Sequence, residues 1–78
     1  MRQREQRLVV AFATTTAAMK LEKEAALAGL DGRIIPLPPV ISAGCGLAFC
    51  TQPMRREAVR RLLAERQIPF SGLYEVLL

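Results

Sequence analysis

The order of strand and helix patterns along the chain is the feature that most limits its fold. Compact apolar stretches predict four β-strands, and two stretches rich in helix-forming residues predict α-helices. In chain order these are strand 8–13, helix 17–28, strand 33–37, strand 47–50, helix 54–67 and strand 70–78. Two interleaved right-handed β-α-β halves in this order give an α+β, ferredoxin-like βαββαβ two-layer sandwich. We therefore expect a four-stranded antiparallel sheet with both helices on one face, and the first and third strands at its centre.

Residues with strong local preferences mark the ends of these elements. Thr14, Thr15 and Thr16 are candidates for the N-cap of the first helix, and Gly29 is a natural C-terminal cap. Pro36 suits an edge strand, where its missing N–H interrupts no hydrogen-bonded ladder. Apolar side chains spaced three and four residues apart predict the buried helix faces. These are Ala18, Leu21, Ala25 and Ala28 in the first helix, and Met54, Ala58, Leu62 and Leu63 in the second.

Length and composition predict one small domain. The chain has 78 residues, and its hydrophobic fraction of 51% is sufficient for a packed core and argues against disorder. We assign residues 1–6 to a flexible polar arm and residues 7–78 to the domain. A domain of this size has no room for both a full core and a deep substrate cavity. We therefore expect a carrier or binding protein and not a self-contained enzyme.

No stretch of the sequence predicts insertion into a membrane. The apolar stretch after Arg7 has six residues before three threonines. That is shorter than the apolar core of a signal peptide, which has about 7–15 residues. A bilayer span needs about 20 apolar residues in a row. The sequence therefore predicts a protein of the cytoplasm, in a reducing compartment.

The two central strands are apolar on both faces. In the first of them, Val9 and Ala11 alternate with Val10 and Phe12, and the strand at 47–50 is apolar in the same way. A sheet with one face in water alternates polar and apolar residues. We therefore expect the second face to be covered, most simply by another copy of the chain, and predict a homo-oligomer.

The chain is basic, with a formal net charge of +4, which favours acidic partners. Arg55, Arg56, Arg60 and Arg61 lie close together in the sequence and are the candidates for contact with a nucleic acid. Sheets that bind RNA also present aromatic side chains for base stacking, and this chain has only three Phe, one Tyr and no Trp. We therefore predict a solvated helix face or a docking surface for an acidic protein, and no nucleic acid as partner.

Cys45 is the strongest candidate for chemistry, because a glycine stands on each side of it. Gly44 and Gly46 leave the sulfur little shielded, and glycine permits backbone conformations in which N–H groups point at an anion. Such donors favour the thiolate, which is the reactive form of cysteine. A tight turn that contains a small residue explains the same pattern. Both interpretations remain open on the local pattern alone.

The sequence around the other cysteine, Cys50, predicts a packed side chain and not a reactive thiol. It follows Phe49 in a predicted strand, and cysteine is among the residues most often buried. An extended strand would hold Cys50 too far from Cys45 for a disulfide. With two Cys and no His, one chain cannot supply the four ligands of a structural zinc site. We therefore predict no metal and no separate cofactor.

Several motifs between residues 8 and 78 together indicate a family. They are Lys20-Leu21-Glu22-Lys23, Ala28-Gly29-Leu30-Asp31-Gly32-Arg33, Ile35-Pro36-Leu37-Pro38, Ile41-Ser42-Ala43-Gly44-Cys45-Gly46-Leu47-Ala48 and Ile68-Pro69-Phe70-Ser71-Gly72-Leu73-Tyr74. With these motifs the chain resembles the small bacterial domains of the selenium/sulfur (Se/S) carrier protein-like family. The resemblance implies that Cys45 carries sulfur or selenium covalently, as a persulfide or selenosulfide. It also implies a supporting loop that contains Ser42, Gly44 and Gly46.

Two further positions bear on this site. Members of the family commonly have a basic residue after the paired prolines, where this chain has Val40. If that residue helps to hold the thiolate, Cys45 is less activated here. Arg33 is the cation that we place near this end of the sheet, as an accessory residue. Its simpler role is an exposed charge at the start of a strand.

We therefore predict a non-enzymatic carrier in which Cys45 accepts sulfur or selenium from a donor and passes it to an acceptor protein. The alternative is a small dimerising regulatory or interaction domain in which Cys45 is only a turn residue. Thiol reactivity near neutral pH separates the two, because a packed turn residue reacts slowly. The sequence does not distinguish sulfur from selenium, and it names neither donor nor acceptor.

Overall fold

The elements of the computed structural model, which describes residues 4–42 and 44–78, follow the predicted order. They are β1 (Gln6–Ala11), α1 (Thr15–Leu27), β2 (Arg33–Pro36), β3 (Leu47–Thr51), a 3₁₀ turn (Pro53–Arg55), α2 (Arg56–Glu65) and β4 (Gly72–Leu77). The strands form one antiparallel sheet in the order β2-β3-β1-β4. This is the predicted ferredoxin-like sandwich, with β1 and β3 at the centre and Pro36 on an edge strand.

Local chemistry explains where α1 begins and ends. Thr14 is its N-cap, and the Thr14 hydroxyl oxygen accepts a hydrogen bond from the N–H of Ala17 at 3.2 Å. Gly29 follows the helix with φ +74°, the left-handed conformation that glycine adopts most easily. Phe12 and Ala13 lie outside β1, because the chain leaves the sheet there to enter the helix. With 13 residues in α1 and 10 in α2, neither helix of the described part of the chain could span a bilayer.

The N-terminal boundary differs from the predicted polar arm. Residues 1–3 lie outside the described residues. Gln6 begins β1, and the backbone of Glu5 exchanges two hydrogen bonds with Leu78, at 2.8 and 2.9 Å. The sheet therefore begins earlier than the apolar pattern indicates, because strand pairing uses backbone groups whatever the side chains are.

The buried faces of the helices are partly as predicted. Ala18, Leu21 and Ala25 are buried, but Ala28 lies beyond the end of α1 and is exposed. In the second helical segment Leu62 and Leu63 are buried, whereas Met54 is 77% exposed and Ala58 is exposed. The prediction that Met54, Ala58 and Ala28 face inward is therefore wrong. Val59 occupies the core position that the prediction gave to Ala58.

The 3₁₀ turn is the physical reason for the error at Met54, whereas Ala58 lies within α2, one residue before the buried Val59. A 3₁₀ turn has three residues per turn and an α-helix has 3.6, so extending the α-helical period back through Pro53–Arg55 rotates the predicted face. The buried set spaced three and four residues apart starts at Val59, after the turn.

The main core lies between the sheet and the helices. It contains Leu8, Val10, Phe12, Ala17, Ala18, Leu21, Ala25, Phe49, Val59, Leu62, Leu63 and Ile68. The two faces of β1 alternate as expected of a strand, with Leu8 and Val10 on the helix side and Val9 and Ala11 on the other.

The second face of the sheet is covered in part by the chain itself. Ile41, in the segment between β2 and β3, packs with Val9, Ala11 and Ala48, and all four are buried. The partly buried side chains of Ile35, Leu37, Val76 and Leu78 pack against this cluster. The apolar pattern that predicted a second copy of the chain is therefore explained at this end of the face by an intramolecular contact.

Candidate functional site

The segment that carries Cys45 joins β2 to β3 and is held at both ends. The N–H of Leu37 donates to the carbonyl of Gly46 at 2.9 Å, which closes the base of the loop. A turn inside it is held by the N–H of Ile41, which donates to the carbonyl of Pro38 at 3.0 Å. Because Ile41 is also buried against the sheet, the loop is anchored to the domain.

Cys45 lies beside the connection from β1 to α1. Its N–H donates to the carbonyl of Phe12 at 3.4 Å. A Cβ placed on Gly44 would lie 3.1 Å from the carbonyl oxygen of Ala13, so a glycine allows the two segments to approach closely. Thr14, the N-cap of α1, comes directly after Ala13. The cysteine loop therefore shares one end of the sheet with the N-terminus of α1, whose partial positive charge favours anions.

The sulfur of Cys45 has a backbone donor. The N–H of Leu47 donates to Sγ at 3.4 Å, and the thiol in turn donates to the carbonyl of Leu47 at 3.5 Å. The side chain is half-buried and packs against the helix-side core. Both backbone polar groups of Leu47 therefore contact the sulfur.

Gly46 shapes the open side of the site. Its φ is +76°, a left-handed conformation that disfavours other residues. A Cβ placed there would have no heavy atom within 4 Å, so the space beside it is open. The two glycines beside Cys45 therefore have different structural roles. Gly44 permits a close approach to Ala13, whereas Gly46 permits the turn that brings the Leu47 N–H to the sulfur.

The structure does not gather all the predicted site residues around Cys45. Ser42 is exposed, and no hydrogen bond found in residues 4–42 and 44–78 links its side chain to the sulfur. Val40 is 79% exposed. Arg33 is the first residue of β2 and pairs with Cys50, whereas Pro36 at the other end pairs with Leu47. Three strand residues span about 10 Å, so Arg33 lies at the opposite end of the sheet and is not an accessory residue of Cys45.

Sequence reasoning did not identify the backbone groups that hold Cys45. The Leu47 N–H and the Phe12 carbonyl carry no side-chain signature, so no motif could reveal them. The topology did contain a usable signal. Antiparallel β1 and β3 are neighbours in the sheet, so the end of β1 and the start of β3 lie together.

The second cysteine has a different environment. Cys50 is 8% exposed and pairs with Val9, so it faces the side of the sheet away from the helices. Burial raises the pKa of the Cys50 thiol, and the positive charges of Arg7 and Arg33 partly oppose that rise. Both cysteines are free thiols, and they pack on opposite faces of the sheet.

We expect limiting iodoacetamide at neutral pH to alkylate Cys45 well before Cys50. The Cys45 side chain is more accessible than that of Cys50. The raised pKa of Cys50 also leaves a smaller fraction of it as the reactive thiolate than an ordinary cysteine has at this pH. Peptide mapping by mass spectrometry measures both sites in one sample. A Cys50→Ser protein is the control and should keep the fast phase, whereas Cys45→Ser should leave only the slow one. Faster labelling of Cys50 would contradict the site assignment.

The chain matches one known family over most of its length. A protein-family model described as "Putative Se/S carrier protein-like" matches residues 7–75, which include the whole cysteine loop and all four strands except the first residue of β1 and the last two of β4. Comparison with curated proteins and comparison with solved structures both return no match.

Proposed function

We propose that this chain, which belongs to the Se/S carrier protein-like family, carries one sulfur or selenium atom on Cys45 between a donor and an acceptor protein. The observation that carries the proposal is the setting of the sulfur. Cys45 is a half-buried free thiol, its Sγ accepts a hydrogen bond from the N–H of Leu47 at 3.4 Å, and the space beside Gly46 is open. The same donor would stabilise a thiolate or the inner sulfur of a persulfide.

The loading step exchanges one S–S bond for another. The Cys45 thiolate attacks the terminal sulfur of a donor persulfide, R–S–SH, and forms Cys45–S–SH. The donor S–S bond breaks, its electron pair stays with the donor sulfur, and the donor leaves as the thiolate R–S⁻. A donor selenosulfide, R–S–SeH, gives Cys45–S–SeH in the same way. In the unloading step an acceptor thiolate attacks the terminal sulfur or selenium atom. The bond from this atom to the Cys45 sulfur breaks, and Cys45 leaves as its thiolate. The transfer therefore needs no further oxidant, reductant or bound cofactor.

The architecture suits delivery to another protein better than self-contained catalysis. The loop lies at one end of the sheet, where a partner can reach the half-buried sulfur. The positive side chains of Arg55, Arg60 and Arg61 are exposed on the second helical segment, and they favour an acidic surface on the donor or acceptor. We place the protein in the cytoplasm, where thiols stay reduced between transfers.

The test of the proposal is direct loading. Protein incubated with a persulfide donor and freed of excess donor should gain the mass of one sulfur atom by intact mass spectrometry, and a selenosulfide donor should add one selenium atom. A thiol reductant should remove either atom. If the protein gains neither atom while a free low-molecular-weight thiol does, the carrier proposal fails and the interaction-domain alternative replaces it.

We also propose that the protein forms a homodimer through the β4 edge of the second sheet face, around Tyr74, which leaves the β2–β3 side of that face, with Arg33 and Cys50, open. Tyr74 pairs with Val9 on this face and is still 38% exposed. Sedimentation should show a dimer at micromolar concentration, and Tyr74→Arg should shift it to monomer by placing like charges at the interface. Met54→Arg, at an exposed position on the 3₁₀ turn, is the matched control and should remain dimeric. A wild-type monomer at high concentration would contradict the proposal.

A further inference from the structure

A cavity lies at the end of the sheet opposite Cys45. Its volume is about 300 Å³, at the lower limit for small-molecule sites. It is lined by Arg7, Asp31, Gly32, Arg33, Cys50, Thr51 and Gln52. These residues come from the starts of β1 and β2, the end of β3 and the short connections next to them.

The register of the strands places Arg7 and Arg33 on one face, on either side of Cys50. Arg33 is the direct cross-strand partner of Cys50 on β2. On β1 the partner of Cys50 is Val9. Arg7 lies two residues before Val9, so the side chains of Arg7 and Cys50 point to the same face of the sheet. Arg7 and Cys50 are therefore diagonal neighbours on adjacent strands, a relation in which Cα atoms are about 7–8 Å apart. Both guanidinium groups influence the buried sulfur, because their charges oppose the rise that burial imposes on the pKa of Cys50.

The charges around the cavity are not fully paired. Arg7 contacts the carboxylate of Glu5 at 3.6 Å, but this carboxylate is 62% exposed. None of the three ion pairs within residues 4–42 and 44–78 includes Arg33. Asp31 also lines the cavity and is the acidic residue that opposes the two arginines there. The remaining titratable group, Cys50, is a neutral thiol at neutral pH.

The wall of the cavity is held in place by its neighbours. The Thr51 hydroxyl donates a hydrogen bond to the backbone carbonyl of Asp31, which ties the start of β2 to the end of β3. Gly32 lies directly against the buried ring of Phe49, where a Cβ would not fit. The backbone that carries Arg33 is therefore fixed by two contacts before any ligand binds, which reduces the entropy cost of binding.

We propose that this cavity binds the phosphate group of a small molecule, between the guanidinium groups of Arg7 and Arg33. Two arginines on one face match this ligand, because each planar guanidinium donates parallel hydrogen bonds to the oxygens of a tetrahedral oxyanion. A cavity of about 300 Å³ exceeds the volume of one phosphate ion, which leaves room for a small organic group. The site is separate from the cysteine loop, so binding there does not depend on the carrier chemistry.

Isothermal titration calorimetry at constant ionic strength tests the proposal with two probes, inorganic phosphate and glycerol 3-phosphate. Wild-type protein should bind at least one of them, and Arg33→Gln and Arg7→Gln should each weaken binding by roughly tenfold or more. Arg61→Gln, an exposed arginine of α2, is the matched control and should bind as wild type does.

Equal affinity for the two probes indicates a free-anion site, and tighter binding of the ester indicates an organic phosphate. No binding of either probe at tens of millimolar, or equal binding by wild type and both arginine variants, would overturn the proposal.

A second measurement locates the ligand. In a Cys45→Ser background, the bound probe should slow alkylation of Cys50, because it covers the sulfur and cancels the positive charge beside it. The protection should disappear in the Arg33→Gln version of the same background. Protection of equal size in both proteins would place the anion elsewhere and would also overturn the proposal. Circular dichroism should show that the arginine substitutions leave the fold unchanged.

Discussion

Cys45→Ser should take up no sulfur or selenium, under conditions where wild-type protein gains one atom per chain. The substitution removes the sulfur that we propose forms the new bond, since a serine hydroxyl stays protonated and does not attack a persulfide. The fold should survive, because the side chain is at a loop and the Leu47 N–H can donate to a serine oxygen as it does to sulfur. Intact mass spectrometry before and after incubation with a persulfide donor measures the uptake.

Cys50→Ser is the matched control for this experiment. It should still load one atom, because Cys50 lies on the other face of the sheet and is 8% exposed. It should cost about 1 kcal/mol or more of stability, because a hydroxyl replaces a thiol in a buried position. Loading that survives in Cys45→Ser, or disappears in Cys50→Ser while the fold is intact, would show that Cys45 is not the carrier thiol.

Gly32→Ala should destabilise the domain by about 1–3 kcal/mol, although it adds only one methyl group. A Cβ at this position would lie 2.2 Å from Cζ of Phe49, and the Phe49 ring is fully buried and cannot move aside freely. That loss is a large fraction of the total stability of a small domain, which is about 5 kcal/mol or somewhat more. Urea denaturation followed by circular dichroism measures the change in the free energy of unfolding.

A double-mutant cycle tests the cause of this loss. Phe49→Leu shortens the side chain that the new methyl group meets, so Gly32→Ala should cost clearly less in the Phe49→Leu background than in wild type. Gly29→Ala is the control for backbone conformation alone, because Gly29 has φ +74° but open space around it. It should cost about 1 kcal/mol in both backgrounds. The steric explanation is wrong if the cost of Gly32→Ala is the same with phenylalanine and with leucine at position 49.

Local patterns in the sequence predicted much of the fold. Apolar runs predicted the four strands, and the order of elements predicted the sheet with β1 and β3 at its centre. Thr14 and Gly29 mark the ends of α1 because capping depends on a few neighbouring residues. The prediction for Pro36 was also confirmed. A residue without an N–H cannot donate to a neighbouring strand, which favours an edge strand such as β2.

The candidate site was predicted only in its centre. Cys45 and its glycines are visible in the sequence, and the family match includes them. The sequence prediction placed Arg33 near the end of the sheet that carries Cys45, but the direction of β2 puts it beside Cys50. The groups that contact Cys45, namely the Leu47 N–H and the Phe12 carbonyl, belong to the backbone and are the same for every residue type.

For this protein, the sequence by itself determined the type and order of the elements, the residues at the two ends of α1 and which of the two thiols is more accessible. These follow from side-chain chemistry and spacing within a few residues. Only the tertiary structure decided that Ile41 covers one end of the second sheet face, that Val59 replaces Ala58 in the core, and that Arg7 and Arg33 flank Cys50. Each of these depends on register, helix phase or loop path, which bring together residues far apart in the chain and are set by the packing of the whole domain.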